Sequence, residues 1–168
     1  MTQPYIINLI DRDNLESGTV DILNYLSLEG FIRYLEEIQG YFSNLNLPYK
    51  FSEPQLYYIV QDDFEAIKVG LAKSPRKRLQ VLQTGNPHKL SILFFYDPVK
   101  YEERFKGFFN RDDLTCYEHE HKELRWLSNP INGNGVDWNG EWFKPNDRSF
   151  RILIRHGLYL LNWYKNER

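Results

Sequence analysis

The residues best suited to chemistry lie in KVGLAKSPRKR. Lys68, Lys73, Arg76, Lys77 and Arg78 fall there, and no acid does. Arg76, Lys77 and Arg78 follow Ser74 and Pro75, and a serine followed by proline is an N-cap and first-turn signature. Leu79 and Leu82 share a face and Gly85 supplies a stop, so a short helix is expected over 75–84. A helix start already carries about half a positive charge and N–H groups with no intrahelical acceptor. Each cation added there costs about 0.3–1 kcal/mol in the free protein. Stability alone does not select this pattern, whereas an anion does. A phosphate would meet the N–H groups, the dipole and a guanidinium together. The competing reading is a solvated basic face, paired with acids from elsewhere in the fold.

The elements that must position these cations follow from periodicity. Leu28, Phe31, Ile32, Leu35, Ile38 and Phe42 recur at helical spacing after Ser27, a plausible N-cap, and predict a helix over 28–43. NLNLPYKFSEP reads as a connector. QLYYIVQ (55–61) and AIKVGL (66–71) read as strands joined by a DDFE turn, an antiparallel hairpin, and KLSILFFY (89–96) as a third, more buried strand. Beyond Pro98, VKYEERFKGFF and LTCYEHEHKELRWL each fit a helix. INGNGVDWNGEWF reads as a loop leading to an aromatic anchor. Phe150, Leu153, Ile154, Leu158, Leu161 and Trp163 predict a closing helix.

The chain has 168 residues, enough for one domain with a core. Apolar residues make up 42%, charged residues 26% and aromatics 16%, which favours an ordered fold. The net charge of −2 announces neither nucleic acid nor membrane, but its distribution is uneven. Six of the 21 Lys and Arg lie within 66–96, where there is no acid; the other 15 share the remaining chain with all 23 acids. A basic island in an acidic chain is a stronger signal than the total. Cys116 is the single cysteine, which excludes an intramolecular disulfide and fits a reducing compartment. MTQPYIINLIDRDN lacks a basic n-region and an apolar core, and no run approaches the roughly 18 apolar residues of a membrane span. The expectation is a soluble cytoplasmic protein.

Several residues together resemble a known family. Tyr57 in LYYI, then Lys68, Val69 and Gly70, then Arg78 ten positions after Lys68, resemble the GIY-YIG nuclease pattern. RLQVLQTGNP followed by GEWF is similar to one branch of it, the phage-derived and meiosis-associated domains in which lysine replaces the second tyrosine. The resemblance spans about residues 55–145. It implies an α+β fold, a small three-stranded antiparallel sheet flanked by helices, with added terminal helices. The corresponding organisation is an N-terminal helical extension (1–50), a nuclease-like domain (51–147) and a C-terminal helix packing on it (148–168). The implied activity is an endonuclease that hydrolyses phosphodiester bonds through one divalent ion, Mg²⁺ or Mn²⁺.

By this resemblance Tyr57 helps activate the attacking water, a task that needs a group able to take or relay a proton. Tyr58 falls on the opposite face of the strand, so only one of the two can line the site. Lys68 would steady phosphate oxygens or lower a neighbouring phenol's pKa. Arg78 would clamp the scissile phosphate. Gly70 would allow close approach, and Lys73, Arg76 and Lys77 would bind substrate phosphate. The family's metal-binding glutamate follows the third strand on a helix, which points to Glu118, with His121 one turn on as a phosphate or proton partner. Their spacing of three departs from the family's more usual four. Glu102, Glu103, Glu120 and Glu141 remain rivals for the metal, and Glu141 in GEWF also fits a cap or ion pair. No His₃ or Cys-His spacing supports zinc.

Two further readings stand beside the nuclease. One is a catalytically inactive nucleic-acid-binding or regulatory module on the same fold; the other is a protein whose motif maintains the fold alone. The expected partner is nucleic acid, DNA rather than RNA, and net acidity favours a short or single-stranded footprint over tight duplex binding. No membrane partner is expected, and the terminal helices could form a homodimer.

Overall fold

A computed structural model describes residues 27–100, 142–145 and 147–166. The chain divides into two compact units, Asn46–Asn146 and the pair of segments Met1–Leu45 with Asp147–Arg168.

In the unit built from the two chain ends, α1 spans Leu28–Ser43. Ser27 caps it, its Oγ accepting from the Gly30 N–H at 3.2 Å. Phe31, Tyr34, Leu35, Ile38 and Phe42 form the buried stripe, while Leu28 is 54% exposed. Here α1 packs on α3, the long helix Asp147–Asn166 that the sequence predicts. Phe31 stacks on Phe150 with ring centroids 5.9 Å apart, and Phe42 meets Tyr164 edge-on at 5.9 Å. Start therefore meets start and end meets end, so the two helices run parallel. A parallel pair needs a long return connection, and the whole of the other unit lies between them in sequence.

That other unit is built on an antiparallel sheet: β1 (Gln55–Gln61), β2 (Ile67–Ala72), β3 (Leu90–Tyr96) and the two-residue β4 (Trp142–Phe143), in the order β3-β1-β2-β4. The expected α+β class and three antiparallel strands are present. The addition is β4, where GEWF, read from sequence as a loop and anchor, pairs Trp142 with Lys68 and Phe143 with Ile67. The hairpin turn contains a 3₁₀ turn, Asp62–Phe64, with Asp63 at φ 57°. Between β2 and β3 lies α2, Pro75–Gln83.

As the central strand, β1 has six consecutive buried residues, Gln55 to Val60, instead of an alternating pattern. Both of its faces are covered. Cross-strand partners share a face, so Tyr57, Gly70 and Phe95 make one row, and Tyr58, Val69 and Phe94 make a row on the opposite face. Tyr58 packs against Phe94 with centroids 4.9 Å apart.

Candidate functional site

The start of α2 forms as its sequence predicts, and it does a second job. The Ser74 Oγ accepts from the Lys77 N–H at 3.4 Å and donates to the Tyr49 carbonyl at 2.8 Å. Pro75 occupies the first helical position, and no acid lies in the first turn. The connector ahead of β1 is thus tied to the helix cap. Two further links hold it there: the Phe51 N–H donates to the Lys73 carbonyl at 2.8 Å, and the Arg76 Nη1 donates to the Leu47 and Pro48 carbonyls at 3.2 and 3.0 Å.

The three first-turn cations therefore separate. Arg76 turns back onto the connector, its guanidinium 5.5 Å from the Phe95 ring centroid. Lys77 and Arg78 are exposed and, with Ala72, Ser74 and Val81, line a shallow pocket of about 260 Å³. Neither side chain has an acidic partner among the described residues. Their exposure fits the solvated basic face considered from sequence as well as a phosphate seat, and the acids of residues 101–141 lie outside the described residues. Lys73 is exposed on the approach to the helix. Lys68 is half-buried, with its Nζ 5.9 Å from the Trp142 ring. Alternation along β2 puts Lys68, Gly70 and Ala72 on one face. That face also carries Tyr57 and Phe95, and Arg76 stacks on it through Phe95. Of the nine residues singled out from sequence, seven thus gather on one sheet face and the helix start beside it.

Tyr57 and Gly70 have an unexpected relationship. They are direct cross-strand partners, and the Tyr57 phenol lies over the position where Gly70 lacks a β-carbon. Tyr57 is only 1% exposed. The close approach that Gly70 permits is therefore that of its own cross-strand tyrosine.

The LQTGNP stretch closes α2 and steers the chain into β3. Thr84 Oγ1 donates back to the Gln80 carbonyl at 3.0 Å, and Gly85 takes φ +79°, a left-handed stop. The Gln83 Oε1 accepts from the Leu90 N–H at 2.8 Å, and its Nε2 donates to the His88 carbonyl at 2.9 Å. Sequence reasoning missed this bridging role of Gln83, and also the placement of Tyr49. The signal for Tyr49 was an aromatic residue inside a polar connector.

Glu118 and His121, together with the rival ligands Glu102, Glu103, Glu120 and Glu141, lie outside the described residues. Among the described residues no group of three or more His, Cys, Asp or Glu is placed to hold a metal ion. No described helix is long and apolar enough to cross a membrane. No family model, curated protein or solved structure matches this chain.

Proposed function

We propose that the chain is a GIY-YIG-type endonuclease that hydrolyses phosphodiester bonds in DNA with the help of Mg²⁺ or Mn²⁺. The observation that carries this reading is the pair Lys77 and Arg78, exposed at the start of α2 with no described acid to neutralise them. Arg78 would grip the scissile phosphate and offset the charge that develops on its oxygens. Lys77 and Lys73 would bind flanking phosphates. Lys68, on the adjoining sheet face, would complete a positive lining. The ion, assigned to Glu118 with His121 beside it, would neutralise phosphate charge and activate water. The described residues supply no ligand set for it.

One observation favours a second reading, a nucleic-acid-binding module without hydrolysis. The Tyr57 phenol is closed off by Gly70 and the strands on either side, so it does not meet solvent where a water would be activated.

Cleavage of labelled single- and double-stranded DNA with Mg²⁺, alongside Arg78→Ala and Glu118→Ala, separates the two. The nuclease reading expects cleavage, reduced about 10²–10³-fold by Arg78→Ala, the loss typical of one transition-state donor. Binding that depends on Arg78 without any cleavage favours the module. Cleavage that survives Glu118→Ala removes the metal assignment alone.

A further inference from the structure

We infer that Tyr49 is a stacking platform for one base of an unpaired DNA strand whose phosphates lie along Lys77 and Arg78. This rests on the DNA-directed reading above and adds a contact and a strand state to it. Tyr49 belongs to the connector, yet the residue is 49% exposed. Its hydroxyl reaches the Gln80 Oε1 only at 3.5 Å, the outer limit of a hydrogen bond. The side chain therefore does little to hold itself. Its backbone is held firmly instead, by Ser74 Oγ on the Tyr49 carbonyl, Arg76 on the two preceding carbonyls and Phe51 N–H on Lys73. Such an arrangement fixes the backbone that carries an aromatic ring while leaving the side chain open.

The neighbours of the ring fit nucleic acid. At about 3.6 residues per turn, Lys77 falls between Gln80 and Val81 around α2, and Arg78 lies just beyond Val81. An open aromatic, two exposed cations and Val81, itself 58% exposed, thus follow one another around the free side of the helix. A basic track beside an aromatic ring is the arrangement that holds single strands, because every base has a π-face and phosphate follows at a fixed spacing. A base stacked inside a duplex offers Tyr49 no face. The net charge of −2 also works against the wide phosphate footprint that duplex affinity requires.

The test is fluorescence anisotropy of the full chain with labelled oligothymidine, oligouridine and a DNA duplex, over a salt series. Tyr49→Ala should weaken oligothymidine binding about 5- to 100-fold, with Tyr49→Phe close to wild type. The salt slope should stay unchanged in Tyr49→Ala and become shallower in Arg78→Ala, which loses a phosphate contact. An oligothymidine carrying 5-iododeoxyuridine should crosslink at Tyr49, which a purely structural tyrosine would not do. Wild-type binding that Arg78→Ala weakens and Tyr49→Ala leaves intact would overturn this inference alone. Tighter binding of duplex or oligouridine would overturn the unpaired DNA strand. Failure of the wild type to bind any of the three would overturn both this inference and the reading beneath it.

Discussion

Gly70→Ala tests whether the Tyr57–Gly70 pair is a packing device. A β-carbon at Gly70 would overlap the Tyr57 hydroxyl and stand 2.5 Å from its Cζ and 3.0 Å from its Cε2. Those ring atoms cannot easily withdraw, because Tyr57 is 1% exposed and sits on the central strand. Among the described glycines only Gly85 has positive φ, so alanine at position 70 meets a steric conflict and no backbone strain. Overpacking of this kind costs about 1–3 kcal/mol, and for a chain of this length each kcal/mol lowers the melting temperature by about 2–4 °C. The discriminating measurement is a double-mutant cycle in urea with Tyr57→Leu. That change carries its own cavity cost but removes the hydroxyl, Cζ and Cε2. In its background Gly70→Ala should become neutral, or gain about 0.5 kcal/mol because glycine is a poor strand residue. Coupling of 1 kcal/mol or more is then expected. Additive effects, or a Gly70→Ala protein as stable as wild type, would refute the reasoning. The outcome also bears on function: if the clash is real, activity lost in Gly70→Ala reports on Tyr57 and gives no evidence that Gly70 touches substrate.

Arg76→Ala should destabilise the sheet unit by about 1–3 kcal/mol through the loss of two hydrogen bonds from a charged donor, and should speed limited proteolysis in the connector around Leu47 and Pro48. Ser74→Ala should cost about 0.5–2 kcal/mol, measured by urea unfolding. Ser74→Asp should recover only part of this, since a carboxylate accepts from Lys77 N–H but cannot donate to the Tyr49 carbonyl. In α1, burial holds the Glu37 carboxyl above its ordinary 4.5, with Arg33 pulling the other way. A raised carboxyl pKa stabilises the fold below the ordinary value, and that contribution is lost as pH rises through the raised one. Glu37→Gln should therefore be slightly stabilising at neutral pH, a small effect because solvent screens this only partly buried group, with the gain absent at pH values below the ordinary carboxyl range in paired urea titrations.

Local signals in the sequence carried most of the fold. Ser27 and Ser74 cap helices where their types and spacing predict, and Gly85 ends α2 in the left-handed conformation that a glycine stop implies. What escaped were features decided by partners distant in sequence. Trp142 and Phe143 form a strand only because β2 offers an unpaired edge, and two residues contain no periodicity. The alternation that separates Tyr57 from Tyr58 is correct, but it does not say which face is open, and on a central strand neither is. The candidate site divides in the same way. The cations were visible as a run of charge, whereas their separation into one latched and two exposed residues depends on a connector some 25–30 residues upstream.

That separation explains how so much positive charge is tolerated at a helix start. The Arg76 guanidinium meets two carbonyl oxygens and lies over an aromatic ring, so partial negative charge within the fold answers this cation. Nothing described answers Lys77 and Arg78 in that way. The first-turn penalty, about 0.3–1 kcal/mol per exposed cation, therefore falls mainly on these two, and an arriving phosphate would relieve it. Arg76 and Arg78, alike in sequence, should then differ in experiment. Loss of Arg76 should lower stability and loosen the connector that carries Tyr49. Loss of Arg78 should leave stability unchanged or slightly raised, while lowering affinity for phosphate-bearing ligands. If both substitutions lowered stability equally and neither altered binding, the helix start would be scaffold throughout, and the case for a phosphate seat would fail with it.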